Sequence, residues 1–275
     1  MAAHRLRHRI FTLVIVAGFA STHDVALGQS RVRSIFVSNN GNLEGSVTAF
    51  SVSPAGTLSV INRVITGSRA SIGDPCPGCN AYEISITPNG KYLATGHPAG
   101  DGIPDGITIL SVGPTGAITQ VLQHAMTIGT DGPLDVQWID NQYLASTRTG
   151  PSPDQVAVYQ FNPAGPTLSF VTFQSIGNNS LAYLAIHPSG DYLYANDSGT
   201  NVVRAYSVGV GGTLTLIDTE STGTPFPLEL AISQDGKRLY GAGGISNGSN
   251  KVIGLDIATD GTLSPIAGFH LAGVR

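Results

Sequence analysis

The segment "LAIHPSGDYLYAND", Leu184 to Asp197, reads as a strand, a tight turn and a second strand, and the chain repeats it. Variants are "ISITPNGKYLATGH" from Ile84, "VQWIDNQYLAST" from Val136 and "LAISQDGKRLYGAG" from Leu230. Tyr92, Tyr143, Tyr192 and Arg238 hold one place in the four copies, at spacings of 51, 49 and 46 residues. A second strand pair accompanies each copy: "ITILSVGPTGAITQV" from Ile107, "VAVYQFNPAGPTLSFV" from Val156, "VVRAYSVGVGGTLTLI" from Val202 and "VIGLDIATDGTLSPI" from Val252. A fifth pair, "VTAFSVSPAGTLSVI", starts at Val47. A period of roughly 40–50 residues made of four short strands predicts an all-β fold, a propeller of four-stranded antiparallel blades. Helical repeats are excluded, because apolar residues alternate or run continuously and Gly or Pro punctuates every few residues.

Composition fits stacked blades. Only 12% of residues are charged, against about 25% in an average domain, as expected where the middle strands have no solvent face. The net charge of −4, without a basic cluster in the body of the chain, argues against a nucleic-acid partner.

Five blades are visible. The first begins at "SIFVSNN" from Ser34 without an innermost strand of its own, and the fifth ends with "LSPIAGFHLAG" close to Arg275. No segment is left to close a ring, so the expectation is five blades truncated from a ring of seven. An open ring would expose strand edges and an apolar blade face.

The N-terminus has the form of a targeting segment. "MAAHRLRHR" is basic and "IFTLVIVAGFA", Ile10 to Ala20, is apolar but short for a bilayer span. Small residues at "ALG", Ala26 to Gly28, suit a cleavage site. The expected division is a signal peptide over 1–28, with a cut after Ala20 or a membrane anchor as alternatives, and a propeller over 29–275. The mature protein is then secreted or periplasmic, with no stable membrane span.

Labelled a to d from the channel outwards, the strands place a–b and c–d turns on one face and b–c and d–a connections on the other. The a–b and c–d turns are short and alike. The others are long and irregular, so any site is expected on that elaborated face. Glu83, Asp135 and Glu229 stand at one equivalent position where strand a begins, with Tyr183 at the fourth. Symmetry should ring them around the channel mouth. Such carboxylates could act as a general base, hold a hard cation such as Ca²⁺, or cap local backbone N–H groups. Arg148 is the basic candidate on this face, to orient a carboxylate or polarise a carbonyl. His97 and Asp101 share the b–c loop of blade two as ligand-binding candidates. Cys76 and Cys79, in "CPGC", suit a disulfide across a type II turn. A zinc site there would need two further ligands, for which His97 and Asp74 are candidates.

The segments "LAIHPSGDYLYAND…NVVRAYSVGVGGTLTLIDT", "AISQDGKRLYGAGG…VIGLDIATDGTLSPI" and "VTAFSVSPAGTLSVI" resemble the 6-phosphogluconolactonase-like family of seven-bladed β-propeller lactonases, and the resemblance covers most of the chain from Ser34 onward. It implies hydrolysis of a lactone by residues around the channel mouth, with no required cofactor. Active members tend to carry Pro-x-His where strand a begins. Here the triplets end in Glu83, Asp135, Tyr183 and Glu229 instead. An acidic mouth does not suit a phosphorylated substrate, which calls for Arg, Lys or a nest of backbone N–H groups. The resemblance therefore implies an exported hydrolase of a cyclic ester. The alternative is a non-catalytic propeller that presents its elaborated face to a protein, glycan or cell-wall ligand.

Overall fold

The computed structural model describes residues 15–17, 33–40, 45–66, 83–97, 106–126, 132–148, 153–177, 183–222, 227–243, 251–266, 269 and 271–272. Cys76, Cys79, Asp74 and Asp101 lie outside them. The described residues form five antiparallel sheets in sequence order. The first holds β1 (Ile15–Ala17), β2 (Arg33–Asn40), β3 (Gly45–Val52) and β4 (Leu58–Ile65). The second holds β5 (Ile84–Ile86), β6 (Tyr92–His97), β7 (Gly106–Val112) and β8 (Ile118–Ala125). The third holds β9 (Val136–Trp138), β10 (Tyr143–Arg148), β11 (Gln155–Asn162) and β12 (Thr167–Ser175). The fourth holds β13 (Leu184–Ile186), β14 (Tyr192–Asp197), β15 (Val202–Val208) and β16 (Leu214–Ser221). The fifth holds β17 (Pro227–Ile232), β18 (Arg238–Gly243), β19 (Lys251–Ile257) and β20 (Leu263–Pro265), with β21 (Leu271–Ala272) also on β19. Strands β6, β10, β14 and β18 start at Tyr92, Tyr143, Tyr192 and Arg238, the equivalent residues of the repeat.

The stacking follows from side-chain alternation. Leu93 packs between blades one and two, while its neighbour Ala94 packs between blades two and three. Leu144 and Ala145 divide in the same way, as do Leu193 and Tyr194. Consecutive residues of a strand point to opposite faces, so an unbroken apolar run fills two cores at once. Side chains then tie neighbouring blades together at the rim. Asn62 of β4 donates to Ile118 O at 2.7 Å and accepts from Ile118 N–H at 3.0 Å. Gln174 of β12 donates to Leu214 O at 2.9 Å, and Asp218 of β16 accepts from Leu263 N–H at 2.7 Å.

Two expectations are corrected. The first blade does have an innermost strand: β1 pairs antiparallel with β2, Ile15 opposite Val37 and Ala17 opposite Ile35. Without it, β2 would present a row of unpaired N–H and C=O groups, which an extended, β-branched segment can satisfy. His97 is also not a loop residue; it ends β6 opposite Gly106. No helix among the described residues is long and apolar enough to cross a membrane.

Candidate functional site at the starts of the innermost strands

Glu83 and Asp135 immediately precede β5 and β9, Tyr183 precedes β13, and Glu229 lies within β17. Their equivalence in the repeat brings the three carboxyls together. Glu83 and Asp135 are buried, at 4% and 2% exposure, and Tyr183 at 6%. Glu229 is open to solvent.

Glu229 owes its position to a fault in the ladder. Leu228 pairs with Ala242 and Leu230 with Gly241, so Glu229 is the extra residue of a β-bulge. Its φ of 40° lies in the left-handed region, which costs a side-chain-bearing residue about 1–3 kcal/mol. Bulges re-aim side chains, and they gather near active sites. Here the bulge turns the Glu229 carboxyl towards Glu83, with which it shares a hydrogen bond.

The pair holds one proton. Burial pushes the Glu83 carboxyl up to about 10, and the charges of Asp135 and Glu229 add to the rise. Desolvation also raises Glu229, but it accepts the hydrogen bond from Glu83, which draws it back down. Its exposure limits how far desolvation can act. At neutral pH Glu83 is therefore the protonated donor and Glu229 the carboxylate acceptor, as expected for two acids in close contact. Glu83 Oε1 is buried without a hydrogen-bond partner, the kind of orphaned polar atom that invites a ligand group.

Asp135 has a different job. Oδ2 accepts from Leu184 N–H of the next blade at 2.6 Å, and Oδ1 from Gln137 Nε2 at 3.0 Å. Burial raises it to about 7, against the pull of these two hydrogen bonds and with the charge of Glu229 adding to the rise. Both its oxygens are taken by the fold. It acts as an inter-blade link that also lends charge to Glu83. Tyr183 is held by its backbone: its N–H donates to Asn196 Oδ1, and its carbonyl accepts from Asn196 N–H at 3.1 Å.

The remaining candidates stand at the ends of the second strands. Arg148 ends β10, with its Nε buried and unpartnered, and its charge bears on Tyr159 of β11. It does not figure among the groups that shift the three carboxyls. His97 is 1% exposed. Its Nε2 lies 3.3 Å from Thr108 Oγ1, whose one proton goes to Thr66 O at 3.1 Å. The imidazole is thus the donor, and burial lowers it to about 4, so it is neutral at pH 7. A Cβ on Gly106 would fall 2.8 Å from His97 Cε1 and 2.5 Å from His124 O, so glycine there makes room for the ring. Among the described residues no group of three or more His, Cys, Asp or Glu is disposed to hold a metal ion.

Sequence reasoning missed the register that His97 and Arg148 share. Asn39 and Asp197 occupy the same place in blades one and four. Asp197, fully buried, pairs with Arg204 at 3.0 Å and accepts from Gly177 N–H of the preceding blade at 3.1 Å. The signal was present in the strand endings "SNN", "TGH", "STR" and "AND". Gln137, two residues after Asp135, was also passed over.

Over residues 174–267 the chain matches the family model described as lactonase, 7-bladed beta-propeller. No curated protein matches it. Among solved structures, a provisional 6-phosphogluconolactonase of Bacteroides fragilis superimposes with a TM-score of 0.67 at 19% identity, covering 90% of this chain and 70% of that one. A periplasmic gluconolactonase of Pseudomonas aeruginosa gives 0.64 at 19% identity, covering 90% and 74%. A protein of Lactobacillus plantarum gives 0.66 at 18%, covering 87% and 68%. The blades, their order and the matched segment together make this an all-β propeller that resembles the 6-phosphogluconolactonase-like, seven-bladed lactonase family.

Proposed function

We propose that the chain is a lactonase-like propeller that opens a cyclic ester with the Glu83–Glu229 pair. The observation that carries this reading is the hydrogen bond between the buried Glu83 carboxyl, whose Oε1 has no partner, and the solvent-open carboxyl of Glu229. Two carboxyls driven to opposite protonation states are an acid and a base ready at one pH. Glu229 takes a proton from water as the water oxygen bonds to the acyl carbon. Glu83 gives its proton to the ring oxygen as the C–O bond of the tetrahedral intermediate breaks. The product is an open hydroxy acid. The pair is left with its proton on Glu229, and transfer along the same hydrogen bond restores the starting state. An acidic mouth favours an uncharged lactone over a phosphorylated one, because a phosphate would meet like charge.

A panel of uncharged γ- and δ-lactones, assayed with and without EDTA, tests the reading. Glu229→Gln and Glu83→Gln should each lower kcat about 100-fold or more, the usual range for a lost general base or acid. EDTA should leave turnover unchanged. Turnover that survives both substitutions would overturn the assignment, and EDTA-sensitive turnover would replace it with a cation-held substrate. Failure to turn over any lactone would favour the second reading, a ligand-binding propeller.

A further inference from the structure

The a–b and c–d turns were expected to be short and alike, and in four blades each described turn carries a glycine at positive φ. Blade three breaks the pattern twice. Gly56, Gly90, Gly116, Gly190, Gly211, Gly212, Gly236 and Gly261 all have positive φ, and all belong to turns of the other four blades. In blade three the β9–β10 turn has no glycine, and Asp140 Oδ1 accepts from the N–H groups of Gln142 at 2.7 Å and Tyr143 at 2.6 Å, as Asn89 and Asp235 accept from Lys91 and Lys237 N–H in blades two and five. The β11–β12 turn is held by Asn162 Oδ1, which accepts from Ala164 N–H at 3.1 Å. Pairing in that hairpin continues to Asn162 opposite Thr167, one rung beyond the point where β7–β8 stops at Val112 opposite Ile118.

These two departures meet at a cleft of about 580 Å³, lined by Asn141, Gln142, Gln160, Asn162, Thr167 and Ser169, with Pro163 beside them. The lining carries amides and hydroxyls, with Phe161 and Pro163 as its apolar members, and no charge. The side chains of Gln142, Gln160, Thr167 and Ser169 hydrogen-bond to none of the described residues. All but Gln160 are exposed, and Gln160 is half-buried.

We propose that this cleft binds a neutral saccharide, at the opposite ends of the strands from the carboxyl pair. A carboxamide offers a donor and an acceptor side by side, which matches the adjacent hydroxyls of a sugar. A lining without charge suits neither a phosphate nor a carboxylate nor an ammonium group. The Pro163 ring supplies apolar surface for the C–H face of a pyranose. The volume falls within the range of about 300–1,000 Å³ for small-ligand sites, with room for a short oligosaccharide. The inference stands on the blade-three turns and does not depend on lactone chemistry.

Saturation-transfer NMR and calorimetry on the whole protein, with maltotriose, cellotriose and chitotriose as probes, test it. At least one should bind. The double variant Gln142→Ala/Gln160→Ala, at side chains the fold does not use, should melt like the parent and bind about tenfold more weakly, as loss of two neutral hydrogen bonds predicts. Glu83→Gln should leave binding unchanged. Binding of none of the three, equal binding by the double variant, or loss of binding in Glu83→Gln would each overturn the proposal.

Discussion

Glu83 and Asp135 occupy the same position of the repeat in adjacent blades, both are buried acids, and the fold treats them in opposite ways. Asp135 meets Leu184 N–H on one oxygen and Gln137 on the other, so its polar capacity goes to joining blades. Glu83 has one orphaned oxygen and shares its proton with Glu229, which reaches it from blade five by way of a bulge. The lesson is that repeat symmetry delivers a carboxyl to a location, and the neighbours decide whether it becomes a joint or a reactive group. One methylene separates Glu from Asp. The shorter acid has its partners on its own and the adjoining innermost strand, whereas Glu83 pairs with a carboxyl two blades beyond Asp135.

The sharpest way to break the comparison is Asp135→Ala. It orphans a buried backbone N–H and a side-chain amide, so unfolding in urea at pH 6 should show a loss of about 3 kcal/mol. Asp135→Asn, which keeps an acceptor for Leu184, should recover most of it. Parental stability for Asp135→Ala would erase the distinction between joint and reactive group.

An effect of intermediate size comes from pH. Glu83 titrates near its ordinary 4.5 when unfolded and at about 10 when folded. Between those values the native state binds more protons than the unfolded state, so stability is greatest below pH 4.5 and falls as pH rises. Asp135, raised to about 7, contributes with the same sign from about pH 4 to 7. Melting temperature should therefore decline from pH 5 to pH 8, and Glu83→Gln should flatten the decline and surpass the parent at pH 8. An equal slope in both proteins would show that Glu83 is not the buried acid of the pair.

The smallest effect isolates the bulge. Glu229→Ala and Glu229→Gly both delete the carboxyl and differ only in a Cβ at positive φ. The glycine variant should be more stable by about 1 kcal/mol, read from denaturant midpoints. Equal midpoints would mean that residue 229 carries no backbone strain.

Much of this was legible in the chain. Tyr92, Tyr143, Tyr192 and Arg238 marked the starts of four strands because a hairpin that must stack on its copies repeats its turn and its apolar run. Glu83, Asp135 and Glu229 were found by the same counting. The division of labour among them was not legible. The bulge at Glu229 is a matter of register between β17 and β18, and the link from Asp135 to Leu184 joins residues 49 apart. The blade-three cleft was visible only as one turn, "IDNQ", without glycine; the other turn keeps Gly165, and only the structure shows that it is not at positive φ.

What the sequence alone determined is the architecture, because period, alternation and turn chemistry act within a few residues and recur in every blade. The tertiary structure decided which strand completes the first sheet, since any apolar extended segment can satisfy an open edge and only the assembled sheet selects Ile15–Ala17. It also decided which acid keeps its proton. A carboxyl's state depends on its burial and on charges that other blades bring beside it, and neither quantity exists until the blades stack.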